Sequence, residues 1–464
     1  MQVTDLRCLH HADIDFDPAF TLISGSNASG KTSLLEAIYV LGRGRSFRTR
    51  HLQHLIRSGA ERMVVFGEVE LQGRRLTLGV EAAAKTDPSG TYASYAPRAG
   101  AADERPSSTG SAGMRAPGIA ASDAGVPGPT GDSAQDVPTD SDIPEERVTA
   151  TVARSLGAGT DVAGVRGAGA ADPGQLDIRN PGTGMPGVRA LGARTLTVRA
   201  KLAGERVASL AELATVLPVQ IIDPEVHRLI EEGPSRRRRF LDWGVFHVEQ
   251  AFIGHWQKYT QALRQRNAAL RRRQPASSVS AWDAELVRHG EQVTEARRRY
   301  VARIEPIAQE SARKLLGLEL SLGYRTGWAR ELSFKEALAR SLPKDLEFGV
   351  TQNGPQRAEL VIRLSGVAAK DRISRGQQKL LAAALLISQI KLFPEDSPVR
   401  PTLLLDDPAA ELDGERLSAL IEEVRAQSLQ LVVTTLHGGL AEFSAFGRPG
   451  RRYRLEQGTL HAEG

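Results

Sequence analysis

The sequence predicts an α/β protein: a mainly parallel sheet carrying a phosphate-binding loop, an inserted compact helical lobe, and a long disordered insertion. Three observations predict it. The octet Gly25-Ser26-Asn27-Ala28-Ser29-Gly30-Lys31-Thr32 fits G-x-x-x-x-G-K-[ST] and lies between a strand pattern and a helix pattern. A second apolar run, Thr402-Leu403-Leu404-Leu405, ends in two carboxylates, Asp406 and Asp407. Between them, from about Pro234 to Leu316, apolar residues recur at helical spacing.

The first strand is Phe20-Thr21-Leu22-Ile23, and Ser33-Leu34-Leu35-Glu36-Ala37-Ile38 opens the helix after the octet. A loop joining such elements aims backbone N–H groups and the positive end of the helix dipole at one small volume. Glycine is needed where that backbone turns left-handed or approaches a ligand closely. Lys31 is placed to reach β- and γ-phosphates, and the Thr32 hydroxyl to hold Mg²⁺. Gly25, Ser26, Asn27, Ala28, Ser29, Gly30, Lys31 and Thr32 are therefore the predicted contacts for ATP.

Strand patterns follow over Met63–Leu71 and Arg75–Val80, and again over Arg194–Val198. From about Lys85 to Ala190 the chain turns to Gly, Ala, Pro, Ser, Asp and Thr, with Tyr92 and Tyr95 its only aromatics. Such a segment buries too little apolar surface to offset the entropy of ordering, so disorder is expected. It holds 9 basic and 13 acidic residues, leaving 51 and 42 for the rest of the chain. The folded part is thus the basic part. Strand-like flanks place the insertion in a hairpin loop, where long excursions cost little.

The helical lobe opens with Phe240, Leu241, Trp243, Gly244, Val245 and Phe246 and continues through Tyr259, Leu263, Asn267 and Leu270. Pro275-Ala276-Ser277-Ser278 breaks it, and a second helix is expected from about Ala281 to Ile304. No a/d repeat persists over many heptads, which argues against a coiled-coil arm. Three arginine runs lie here: Arg236–Arg239, Arg271–Arg273 and Arg297–Arg299. They fit either a solvated face paired with Glu231, Glu285, Glu291 and Glu295, or contacts to a phosphate backbone.

After the lobe, α/β character returns. A run apolar throughout suits a central parallel strand buried on both faces. Carboxylates at its C-terminal end lie where such sheets bind ligands. Asp406 is expected to hold Mg²⁺ with Thr32, and Asp407 to orient or deprotonate the attacking water, with Lys31, Asp406 and Asp407 as the catalytic set. Upstream, Ser374 is an N-cap for a helix over Leu380–Ile390, and Ser374, Gly376 and Gln377 form a second candidate anion site at its start.

Composition narrows the class. The 464-residue chain has a formal net charge of +5 and a single cysteine, Cys8, so neither a disulfide framework nor a cysteine-based metal site is available. The first residues form neither a signal core nor an arginine-rich presequence. Leu380–Ile390 is too short and too amphipathic to cross a bilayer. A cytoplasmic protein without membrane partners is expected.

The order of phosphate loop, helical lobe, S-x-G-Q turn, L-L-L-D-D and A-E-L-D resembles the SMC-like ABC-type ATPase heads, and in detail the RecF family of bacterial recombination mediators. The similar stretches are Gly25–Ile38, Gly44–Arg48, Glu232–Asp242, Leu263–Asn267, Gly354–Leu360, Ser374–Lys379 and Leu403–Asp413. Two departures stand out: Gln356 replaces the family's His in G-P-H-R, and Asp407 stands where many ABC-type ATPases have Glu. The expected layout is an ATPase head over 1–84, 191–230 and 346–464 and a helical lobe over 231–345, with the disordered insertion over 85–190 not a feature of the family core. The resemblance implies ATP sandwiched between two copies, the loop Gly25–Thr32 of one facing Ser374–Gln377 of the other. Asp413 would lie across that interface, and His437 would sense the γ-phosphate. It further implies sequence-independent binding of single-stranded, gapped or duplex DNA, the partners RecO and RecR, assistance to RecA loading, a link to the SOS response, and weak DNA-stimulated ATP hydrolysis used as a switch. Two alternatives remain at this stage: a non-catalytic scaffold that binds ATP only to dimerise, and a transporter's ATP-binding subunit.

Overall fold

The computed structural model describes residues 1–85, 195–207, 210–394, 397–436, 443, 446–447 and 449–463. The chain starts with a hairpin, β1 (Gln2–Leu6) and β2 (Leu9–Asp13), followed by β3 (Phe20–Ser24) and α1 (Lys31–Arg43). Next come β4 (Arg62–Leu71), β5 (Arg74–Lys85), β6 (Thr195–Leu202), β7 (Glu205–Arg206), α2 (Ala211–Val216) and β8 (Val219–Ile222). The helical part comprises α3 (Arg228–Glu231), α4 (Pro234–Val248), α5 (Phe252–Arg271), α6 (Ala276–Ser280) and α7 (Asp283–Leu316). Then follow β9 (Leu320–Arg325), α8 (Phe334–Phe348), β10 (Glu359–Leu364), β11 (Val367–Ala368), α9 (Ala369–Arg372) and α10 (Arg375–Lys391). The chain closes with β12 (Thr402–Asp406), α11 (Pro408–Glu411), α12 (Gly414–Arg425), β13 (Gln430–Thr435), β14 (Arg451–Glu456) and β15 (Thr459–Glu463).

The strands form a six-stranded sheet ordered β15-β14-β3-β13-β12-β8, a six-stranded antiparallel sheet ordered β2-β1-β4-β5-β6-β7, and a small sheet β11-β10-β9. In the first sheet all neighbours are parallel except β14 and β15. Its central strands are buried on both faces, as the apolar runs predict. Leu403 and Leu405 point into one core together with Leu431, Val433, Phe20 and Leu22, while Leu404, Val432 and Ile23 point into the other. Helix α1 fills the space between the parallel and antiparallel sheets. Leu34, Leu35, Ile38 and Leu41 pack with Val65, Leu78 and Val80, so it is apolar nearly all round rather than on one stripe.

The strands flanking the insertion are neighbours, with Lys85 registered on Thr195. The hairpin placement therefore holds; the expected disordered segment lies, beyond Lys85, outside the described residues. Helix α7 runs on to Leu316, past the end expected near Ile304. Pro306 removes one donor from its ladder at a cost of about 3 kcal/mol. The apolar stripe Val301, Ile304, Ala308, Ala312, Leu315 stays buried across it and carries the helix onward.

Two of the three arginine runs are largely paired with acids or carbonyls of the same chain, in part at the surface. Arg237 forks onto Glu359 and also donates to the carbonyls of Leu229, Ile230 and Glu232. Arg236 pairs with Glu232, and Arg238 donates to Ala358 O. Arg297 is buried against Asp242, while Arg298 pairs with Glu295 and Arg299 with Glu249 and Glu295. Of the partners expected for a solvated face, Glu295 pairs with Arg298 and Arg299. Glu231 faces His227, and Glu285 faces His289.

Candidate nucleotide-binding site

The loop between β3 and α1 has the geometry its sequence requires. Gly30 has φ 114°, and Ala28 is left-handed at φ 63°. A Cβ on Gly25 would lie 2.5 Å from Leu455 O and 2.7 Å from Ser29 Oγ, so close approach excludes any larger residue. The wall that Gly25 touches is β14, and Gly458 N donates to Ser29 O at 3.0 Å, so the C-terminal hairpin braces the loop. Lys31 folds back over the loop and donates to Gly25 O (2.7 Å) and Ser26 O (2.9 Å). Ser29 Oγ is buried without a hydrogen-bond partner, an orphaned polar atom in the cradle.

β12 brings the carboxylates to the same place. Thr32 Oγ1 donates to Asp406 Oδ2 at 2.9 Å, and Thr434 Oγ1 donates to Asp406 Oδ1 at 2.8 Å. Asp407 is left-handed (φ 50°), with its N–H donating to Thr434. Burial pushes the Asp407 carboxyl above the usual carboxylate range; Lys31 opposes this and Asp406 adds to it. Burial lowers Lys31 below the usual amine range, against the pull of Asp407 and Asp406. Thr32 and Asp406 present hard oxygen donors of the kind Mg²⁺ takes, completed in such sites by phosphate oxygens and water. Among the described residues no cluster of three or more His, Cys, Asp or Glu forms a separate metal site.

Asp223 is a third carboxylate that the motif reading missed. Ile222 is registered on Leu405, so Asp223 follows β8 beside Asp406. Burial raises it to about 6, with Asp406 reinforcing the shift. The signal was present: Val219-Gln220-Ile221-Ile222 is another short, mostly apolar run closed by a carboxylate. Thr434 was also missed, because it was read only as the end of a strand.

Ser374 caps α10 as expected. Its hydroxyl accepts from Gln377 N, and Gln377 Oε1 accepts from Ser374 N at 3.1 Å. Ser374 is exposed and Gly376 partly so. Among the described residues no hydrogen bond or ion pair joins this turn to the loop Gly25–Thr32, so the structure brings the first constellation together and leaves the second apart. The turn is nevertheless tied to the site from two sides. Arg375 donates to Nε2 of buried His227 at 2.9 Å, and His227 Nδ1 lies 3.2 Å from Pro224 O, in the segment that starts at Asp223. One turn into α10, Lys379 pairs with Glu411 in α11, directly after Asp407. Asp413 is an exposed N-cap, accepting from Arg416 N at 3.0 Å. His437 lies outside the described residues.

The blocks most specific to the resemblance converge elsewhere, on the strap 351–359. Fully buried Arg266 pairs with Asp283 and Asp345 and donates to Thr351 Oγ1. Asn267 Oδ1 accepts from Thr351 N and Oγ1, and Arg297 donates to Pro355 O. Gln356, the departure from the family histidine, donates to Thr351 O and Asn353 O and accepts from Tyr259 OH. Its amide closes the strap on itself, a structural role in this chain.

Comparison with known proteins places the chain. A family model described as RecF/RecN/SMC N terminal domain matches residues 1–84. The DNA replication and repair protein RecF of Pseudomonas fluorescens Pf-5 is 32% identical over 99% of this chain and 96% of its own length. That of Azotobacter vinelandii is also 32% identical, with the same coverage. Two solved structures of the recombination mediator protein RecF, titled with ATP and with ATPrS, superpose at TM-scores of 0.67 and 0.66. At 19% identity they cover all of this chain and 96% and 97% of theirs, and they show a shared fold. With an ABC-type ATPase head as its fold and relatives this similar along nearly its whole length, the chain belongs to the RecF family of DNA replication and repair proteins.

Proposed function

We propose that this protein is an ATP-driven DNA-binding switch of replication and recombinational repair. The observation that carries the reading is the split site. Loop, Lys31, Thr32 and Asp406 converge within one chain, while the capped turn Ser374–Gln377 stands exposed and apart. A second copy would supply the missing half, so that ATP joins two heads. Gly25–Thr32 would cradle the phosphates with backbone N–H groups, Lys31 would leave the loop carbonyls for phosphate oxygens, and buried Ser29 Oγ would find its acceptor. Bound Mg²⁺ would supply charge neutralisation between Thr32, Asp406 and the phosphates. Asp407, whose carboxyl burial holds above the usual carboxylate range, would orient water; its short side chain predicts slow turnover suited to a timed switch. The same shortness keeps the scaffold reading open, in which ATP joins the heads without being hydrolysed. The family name of the relatives supports DNA as the partner and repair as the setting. RecO and RecR as partners, gapped or single-stranded DNA as substrate, the SOS link and a cytoplasmic location rest on family resemblance. Among the described residues no helix is long and apolar enough to cross a membrane.

The test is light scattering after size exclusion, with and without ATP. Lys31→Met should abolish the ATP-dependent dimer; a Lys31→Met protein that still dimerises with ATP ends the sandwich reading. ATP turnover measured with and without gapped DNA separates switch from scaffold, since a scaffold shows no stimulation.

A further inference from the structure

Two neighbouring helix ends in the helical part carry a feature that the nucleotide site does not use. Helix α5 ends in Arg271, and Arg272 and Arg273 follow in the turn, all three exposed. Helix α8 ends beside them: a Cβ added at Gly349 would lie 3.9 Å from both Cα and Cγ of Arg271. Phe348, the residue before it, is 64% exposed, against 37% for Phe66. Exposed Lys344 lies one helical turn earlier, on the same face as Phe348. A small core of Ala269, Leu270, Val279, Leu342 and Leu346 beneath holds the two helix ends together.

This run differs from the other two. Arg236–Arg238 and Arg297–Arg299 have carboxylate or carbonyl partners, whereas Arg271, Arg272, Arg273 and Lys344 form no ion pair among the described residues. Glu347 is the exposed acid adjoining them. A cation at a helix C-terminus complements the dipole, which accounts for Arg271. It accounts neither for the two arginines beyond it nor for a protruding aromatic ring. Unpaired cations attract a phosphate backbone, and an exposed aromatic face stacks on an unpaired base. A duplex offers the phosphates but keeps its bases stacked inside.

We infer that Arg271, Arg272, Arg273, Lys344 and Phe348 form a contact for a single-stranded nucleic acid, separate from the residues of the nucleotide loop. The inference rests on the reading that the protein acts on DNA, and it names the surface and the strand form. Binding of the full-length protein to a fluorescent oligo-dT and to a duplex of equal length, over a salt series without ATP, tests it. Arg271→Gln/Arg272→Gln/Arg273→Gln should weaken oligo-dT binding at least tenfold at low salt and flatten the log K against log salt slope by about 2. Phe348→Ala should weaken oligo-dT roughly tenfold with the slope unchanged, leave the duplex unaffected, and be rescued by Phe348→Trp. Because these side chains are exposed, unchanged melting temperatures verify folding. Wild-type oligo-dT binding by both variants overturns the inference. So does a Phe348→Ala protein that binds oligo-dT normally, which would leave a phosphate-only contact. Retained ATP-dependent dimerisation in variants that bind normally would fail this surface alone; loss of oligo-dT binding in a protein that never dimerises with ATP would fail the switch alone.

Discussion

At the scale of single residues, the buried carboxylates make sharp statements. Asp223 titrates near 6 in the folded chain and near 4 unfolded, because burial and Asp406 both disfavour its charge. Its protonated form therefore favours the folded state: that contribution is complete below about pH 4 and is lost as pH rises through 6. Asp223→Asn should accordingly raise stability at pH 7 by about 1–3 kcal/mol, with the gain vanishing towards pH 4. Thermal melts in EDTA across that range read it, and a pH-independent gain would mean that the charge is not the cause. Arg266 is the opposite case. It neutralises Asp345, which is itself fully buried, so Arg266→Ala leaves a bare interior charge and should cost about 3–5 kcal/mol in urea titration. Replacing Asp345 with Leu in the same protein should recover part of that loss.

Among the elements, the ties on α10 make a distinct prediction. His227 holds Arg375 and Glu411 holds Lys379, so the Ser374 turn moves with the segments leaving Asp223 and Asp407. His227→Ala should leave nucleotide binding by the single chain intact while weakening ATP-dependent dimerisation several-fold. Equal losses in both would show a mere folding defect. The elements differ in how readable they were. β3, β12 and β13 were legible because both faces are buried and each holds an unbroken stretch of two or three apolar residues. β14 was not, because Arg451-Arg452-Tyr453-Arg454-Leu455-Glu456 buries only Tyr453 and Leu455 and reads as charged surface. The end of α7 was hidden by Pro306, whose local penalty gave way to long-range burial. The phosphate loop and Asp406 could be found because backbone geometry constrains their residue types locally. Asp223 and the strap 351–359 depend on contacts far apart in sequence, which spacing alone does not encode.

For the molecule as a whole, β5 and β6 are registered from Leu78 on Leu202 through to Lys85 on Thr195. Replacing 86–194 with Asn-Gly, a two-residue hairpin turn, should therefore leave the melting temperature within about 5 °C, as calorimetry would read, since loop length carries only a slow entropic term. The strand order of the parallel sheet has a consequence for synthesis. β3, near residue 20, lies between β13 and β14, made more than 400 residues later, and Gly25 rests on Leu455. While the ribosome is still working, the N-terminal loop has no wall to lean on. The nascent head must wait, with apolar β3 unsatisfied, until the β14–β15 hairpin emerges, and during that interval it would be a natural client for chaperones.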